Sequence, residues 1–382
     1  MPLASLPNED YTVGWICALP LEAAAATSML DEIHEEPRKR LPNDHNVYTL
    51  GHIGEHNVVI ACLPAGVYGT NSAATVATQM LSSFESIRIG LMVGIGGGVP
   101  SVERDIRLGD VVVSKPGGTF GGVVQYDRGK TTEGKFERTG SLNKPPQVLL
   151  SAISALEMKH MMGKNNISEF LGDMLRKYPK MGENFSYQST QPESWHATDG
   201  HRLDDDSTTK SRPAKRLKYR GPNDPVVHYG LIASGNQVIK DTATRDQLKK
   251  ELGGDVLCFE MEAAGLMDTF PCVVIRGICD YADYLKNDLW QGYAAAIAAA
   301  CAKELLCIVP RNRVTVTLTT ADRISPSQTV CFAVPFERDS KFIGRQDVIA
   351  EISRQFEVQR RVTLAGIGGV GWVCPVIRVN IH

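Results

Sequence analysis

Several carboxylates stand where a chain can put them to work. Glu260 and Glu262 lie in "CFEMEAAGLM", Cys258 to Met267; Asp280 and Asp283 lie in "RGICDYAD"; Glu22 lies in "ICALPLEAA". Each follows a short apolar, β-branched run, so each is expected near the C-terminal end of a strand, the rim on which open α/β sheets hold ligands. A carboxyl shielded from water can donate a proton, whereas an ionised one accepts hydrogen bonds from hydroxyls or from a water that it activates. Taken singly, each acid has a plainer explanation. Glu22, Glu260 and Glu262 suit the positive end of a helix dipole, and Asp280 suits a helix N-cap. Three strand ends presenting acids to one rim favour a site.

The elements that must position these acids can be read from Tyr11 to about Val309, where short β-branched runs alternate with helical patterns. "YTVGWICAL" reads as a strand, followed by a helix "PLEAAAATSMLDEI" opened by Pro20. "NVYTLGHI" and "HNVVIACL" read as a hairpin around a glycine turn. "GTNSAATVATQML" reads as a helix of small residues. "IGLMVGIGGGV" and "GDVVVSK" read as strands separated by a glycine-rich turn, and "VVHYGLIASG", "DVLCFE" and "PCVVIRGICD" as the remaining strands. "CFEMEAAGLM" itself is expected to run from a strand into the start of a buried helix. The fold class implied is α/β.

"VGIGGG", "GLIASGN", "EMEAAG" and "RGICDYAD" together resemble the nucleoside phosphorylase/nucleosidase superfamily over Tyr11 to Val309. The resemblance implies a three-layer α/β/α sandwich around a twisted, mostly parallel central sheet. It implies cleavage of a nucleoside N-glycosidic bond, with water or phosphate attacking the ribose C1'. Positive charge builds on the sugar and negative charge on the departing purine, so the site must hold the ribose and protonate the base. By resemblance, Asp280 donates that proton toward N7, Glu262 binds the ribose 2'- and 3'-hydroxyls, Met261 packs on the sugar and Phe259 lines the base pocket. Asp283 and Glu260 are left structural roles. Gly96 and Gly97 border the nucleophile pocket, and Ser234, Asn236 and Val238 of "SGNQVIKD" fall in the base-binding stretch. Asn236 and Val238 replace an acid and an aromatic of adenine-cleaving relatives, so the base is left open. Ile95 stands where a serine is common.

The nucleophile separates two subclasses. Phosphorylases of this superfamily hold phosphate with arginines, but here one such position is Met92 and the N-terminal loop has no arginine before Arg38. Binding a dianion without a cation is costly. Glu22 instead aligns with the glutamate that activates water in the methylthioadenosine/S-adenosylhomocysteine nucleosidases. Hydrolysis of a purine nucleoside or nucleotide is therefore preferred. Phosphorolysis, or a nucleoside-sensing effector module of an immune-type receptor without turnover, is the alternative. The resemblance also implies a homo-oligomer, dimer or trimer, and no cofactor.

Composition narrows the classes without selecting one. The 382 residues carry a formal net charge of -2 and 43% hydrophobic residues, so nothing draws the chain to nucleic acid or anionic lipid. Its nine cysteines form no CxxC pair, which suggests neither a zinc site nor a disulfide framework and fits a cytoplasmic setting. The Ala-rich "LWQGYAAAIAAACAKELLCIV" contains Lys303 and Glu304 and reads as a buried helix rather than a membrane span. Residues 186–224 read as a long polar insertion; their basic run "KSRPAKRLKYR" suits a solvated loop better than a nuclear import signal. Residues 310–331 read as a linker. Residues 332–382 resemble the start of a STAND-type NTPase of fungal NLR-like receptors. There "GIGGVG" meets Trp372 and Val373 instead of the lysine and hydroxyl residue that a P-loop needs, so the tail is expected to be a truncated version.

Overall fold

In a computed structural model of the chain, the structure describes residues 4–101, 104–188, 225–285 and 288–310. The expected insertion, beyond its first three residues, the linker beyond Pro310 and the NTPase-like tail lie outside the described residues.

The strands are β1 Val13–Cys17, β2 Glu32–Ile33, β3 Tyr48–Ile53, β4 His56–Cys62, β5 Ile89–Gly98, β6 Val111–Ser114, β7 Val123–Gln125, β8 Gly129–Thr132, β9 Lys135–Arg138, β10 Val227–Ser234, β11 Val256–Glu260 and β12 Cys272–Asp280. The helices are α1 Pro20–Ser28, α2 Thr70–Ser83, α3 Gln147–Met161, α4 Ile167–Lys177, α5 Gly182–Phe185, α6 Thr242–Glu251 and α7 Gln291–Leu306. One mixed sheet takes the order β11-β10-β6-β12-β5-β1-β4-β3-β2, with β7 beside β10, while β8 and β9 pair separately. The strands at its centre run parallel: β1 with β4 and β5, and β12 with β5. β10 is likewise parallel to β6, β7 and β11. Antiparallel contacts join β12 to β6, β11 to the end of β5, and β2, β3 and β4 in succession.

Alternate side chains of the central strands enter different apolar clusters, as the two-residue period of a strand requires. Val13, Trp15 and Cys17 of β1 and Ile89, Leu91 and Val93 of β5 pack with residues of α1, α3, α4 and α7. Ile16 and Met92 pack instead with Ala73, Val76, Ala77 and Met80 of α2. The Ala-rich segment is α7, buried along nearly its whole length. Among the described residues no helix is long and apolar enough to cross a membrane.

Three local expectations are corrected. The first helix stops at Ser28, and the "EI" at the end of its expected run is strand β2, drawn off by pairing of Glu32 and Ile33 with β3. The glycines of "GIGGG" form no turn. They continue β5 as extended backbone to Gly98, because both flanking strands supply ladder partners out to Gly97 and Gly98. "EMEAAG" does not open a buried α-helix; β11 ends at Glu260 and Ala263–Gly265 make a single 3-10 turn. That turn is pressed against the start of α2, where a Cβ on Gly265 would fall 1.9 Å from the Thr70 carbonyl oxygen.

Candidate active site

The C-terminal ends of β1, β5, β11 and β12 surround a cleft of about 420 Å³, a size that suits a small-molecule ligand. Glu22, Gly96, Gly97, Val238, Phe259, Met261, Glu262 and Asp280 all line it, so most of the expected site residues are brought to one place. Ser234 and Asn236 are not among the lining residues. Ser234 Oγ accepts from the Ala264 N–H at 2.9 Å and holds the 3-10 turn. Asn236 Oδ1 accepts from the Thr70 N–H and hydroxyl at 3.1 and 3.0 Å, fastening the start of α2. Asp283 Oδ1 accepts from the Leu285 N–H, a local turn contact.

Arg276, in mid-strand on β12 and 1% exposed, organises the acids, and it was not singled out from the sequence. Its Nη2 pairs with Glu260 and lies 3.4 Å from Glu262 Oε2; its Nη1 donates to the Ile95 carbonyl at 3.3 Å. Burial works against the guanidinium charge, but Glu260, Glu262 and Glu22 outweigh it and hold its pKa above the ordinary value. A signal for this residue existed. An arginine inside the apolar run "VVIRGIC" must be buried with counter-charges, since an unpaired buried cation is prohibitively costly.

Each acid is held differently. Glu22 Oε2 accepts from the Ala18 and Leu19 N–H groups at 2.7 and 3.0 Å, and Oε1 accepts from the Ile95 N–H at 2.8 Å. This ties the loop between β1 and α1 to β5. Burial raises the Glu22 pKa, with Arg276 and the three N–H groups pulling the other way. Glu260 Oε2 accepts from the Glu262 and Ala263 N–H groups at 3.1 and 3.0 Å, so it caps the turn as well as neutralising Arg276. Glu262 Oε1 accepts from the Gly69 N–H at 3.3 Å. Burial pushes Glu262 up to about 7; Arg276 opposes the rise and the neighbouring Glu260 and Glu22 add to it. Asp280 is buried, with Oδ1 accepting from the Ala282 N–H at 2.8 Å and Oδ2 lying 3.1 Å from Cys279 Sγ.

The extended glycines make room for these side chains. A Cβ at Gly94 would stand 2.3 Å from Glu22 Oε1 and 2.7 Å from Arg276 Nη1, and one at Gly97 would stand 2.8 Å from Asp280 Oδ1. Phe259 meets Tyr126 edge-on at 5.7 Å, and the Tyr126 hydroxyl donates to the Gln237 carbonyl, fixing the segment that brings Gln237, Val238, Ile239 and Lys240 to the cleft.

Residues 12–166 match the family model of the phosphorylase superfamily. An NLR-like protein of Hyaloscypha variabilis is 45% identical over 380 residues, which are 96% of this chain and 36% of that protein. A 5'-methylthioadenosine/S-adenosylhomocysteine nucleosidase of Mycobacterium bovis is 24% identical over 304 residues, 78% of this chain and 97% of that protein. The structure of futalosine hydrolase from Helicobacter pylori matches with a TM-score of 0.50 at 16% identity, covering 78% of this chain and 98% of that one, a likeness of fold. Together these matches liken the domain described here to the phosphorylase superfamily. The chain spans little more than a third of its NLR-like relative.

Proposed function

We propose that the cleft hydrolyses the N-glycosidic bond of a purine nucleoside or nucleotide and releases the free base. The convergence of Glu22, Glu262 and Asp280 from three strand ends into one cleft, around the buried Arg276, carries this reading. Asp280 protonates the purine toward N7 as the bond breaks. Glu262, whose contacts with Gly69 and Arg276 are long, keeps acceptor capacity for the ribose hydroxyls. Glu22 accepts a proton from the attacking water, and its raised pKa makes it a stronger base than an exposed carboxylate. Met261 and Phe259 give sugar and base their apolar faces. Water is favoured over phosphate because Glu22, Glu260, Glu262 and Asp280 outnumber Arg276 and Lys240 among the charged lining residues, a poor setting for a dianion. Apolar clusters packed against alternate faces of the central strands support a three-layer stacking of helices about the sheet.

The test is incubation with adenosine, inosine, guanosine and ATP, with and without phosphate. Equal base release in both buffers is expected. Ribose 1-phosphate formed only with phosphate would make the protein a phosphorylase, and no release in either buffer would refute both. A second reading draws on the NLR-like relative, of which this chain spans 36%: the cleft serves a receptor as its sensing or effector module. Nucleoside binding without turnover marks the sensor, and turnover marks the effector. A homo-oligomer in which a neighbour completes the cleft belongs to the same proposal, and light scattering of the purified chain checks it.

A further inference from the structure

At the edge of the sheet far along β3 and β2 from the cleft strands, Glu32 and His52 face each other in the antiparallel register, and His34 follows directly after β2. One ligand atom from each of the three lies within 4.8 Å of the other two. His52 Nε2 stands 3.5 Å from Glu32 Oε2, and the His34 and His52 ring centroids are 5.7 Å apart. Around a tetrahedral Zn²⁺ with bonds of about 2.0–2.1 Å, ligand atoms stand roughly 3.3 Å from one another. The pair across the strands already has about that separation, and a ligand atom of His34 completes the set within 4.8 Å.

Two further features favour a metal over a plain ion pair. His34 is 6% exposed, and its Nδ1 is hydrogen-bonded to the buried Tyr11 hydroxyl at 2.8 Å. That bond fixes the ring and leaves Nε2 as its ligating nitrogen, the outer-sphere support that metal-binding histidines use. His52 Nδ1 is buried without a hydrogen-bond partner. That leaves Nε2, the nitrogen that faces Glu32, as the ligating atom of His52.

We propose that Glu32, His34 and His52 form a Zn²⁺ site with three protein ligands and a fourth position open to water. Two imidazoles and a carboxylate suit a borderline divalent cation better than Mg²⁺ or Ca²⁺. The Glu32 side chain, 54% exposed, gives an entry path. A bound ion would clamp β2 to β3 and, through the bridge between Ala4 and His34, hold the N-terminal segment to the same edge. Cysteine spacing gave no hint of it, because the three ligands are assembled by strand register.

The experiment uses the full chain without a histidine tag, stripped by chelator and titrated with Zn²⁺ in a calorimeter, with Mg²⁺ as control. Saturable binding of one equivalent, a rise in Tm and X-ray absorption showing nitrogen and oxygen neighbours are expected. Glu32→Ala and His52→Ala, at partly exposed side chains, are each expected to weaken binding at least tenfold, and Tyr11→Phe about tenfold through the lost outer-sphere bond. No saturable uptake, sulfur neighbours, or undiminished binding in the Glu32→Ala, His52→Ala double variant overturns the proposal.

Discussion

Two buried glutamates show how the same group serves different ends. Glu304 on α7 is 4% exposed: Oε1 accepts from the Asn166 N–H at 3.1 Å, and Oε2 lies 3.0 Å from His160 Nε2. The other nitrogen of His160 meets the Tyr229 hydroxyl at 2.9 Å, so the network closes on itself among α3, α4, α7 and β10. Glu262 is 5% exposed, yet its contacts with Gly69 and Arg276 are 3.3 and 3.4 Å long, and Arg276 is shared with Glu260. A closed network serves the fold. An acid buried with loose partners at the wall of a cleft is held ready for a ligand and lowers stability while empty.

Asp280→Asn tests the cleft side of this contrast most severely, since the amide cannot donate the proton: turnover should fall about 10²–10⁴-fold with nucleoside binding retained, measured by base release and calorimetry. Glu262→Gln should lower kcat/KM about 10²-fold while leaving Tm unchanged or raised, because it removes a poorly compensated buried charge. Glu304→Ala should do the reverse, costing about 3 kcal/mol in denaturant unfolding with kcat/KM within a factor of two of the parent. If Glu304→Ala abolishes turnover or Glu262→Gln unfolds the domain, the contrast fails.

The contrast also extends to the pH dependence. The folded-state pKa of Glu262 is pushed up to about 7 from an ordinary carboxylate value, so between the two the folded state binds more protons than the unfolded chain. Stability should therefore decline as pH rises through that window, by up to about 3 kcal/mol from this group. Over the same range kcat/KM should climb toward a plateau above pH 7 as Glu262, the proposed ribose clamp, ionises. Glu262→Gln should flatten both trends.

The strands that carry the acids were legible because β-branched runs and strand-end carboxylates are local signals, and the buried α7 was legible from its length and alanine content. The glycine strand was misread as a turn because glycine has a poor intrinsic fit to strands, and here ladder partners on both sides override that. "EMEAAG" has helical composition, but the approach of Gly265 to Thr70 stops it after one turn. The role of Arg276 depends on Glu22, far away in sequence, and on the exact path of β5 between them, neither of which a local pattern carries. Ser234 and Asn236 sit in the expected stretch but are engaged with Ala264 and Thr70 through contacts that form only when the chain is folded.

The path of β5 also sets the latitude for change in this molecule. Where Gly94 and Gly97 touch Glu22 and Asp280, any larger residue displaces an acid, so that end of the cleft can scarcely drift. The segment from Gln237 to Lys240 is anchored at the Gln237 carbonyl by Tyr126, while Val238, 44% exposed, bears no such constraint. If the cleft acts as proposed, substitution along that short segment is expected to alter base preference with Glu22, Glu262 and Asp280 left in place, which makes it the place to randomise.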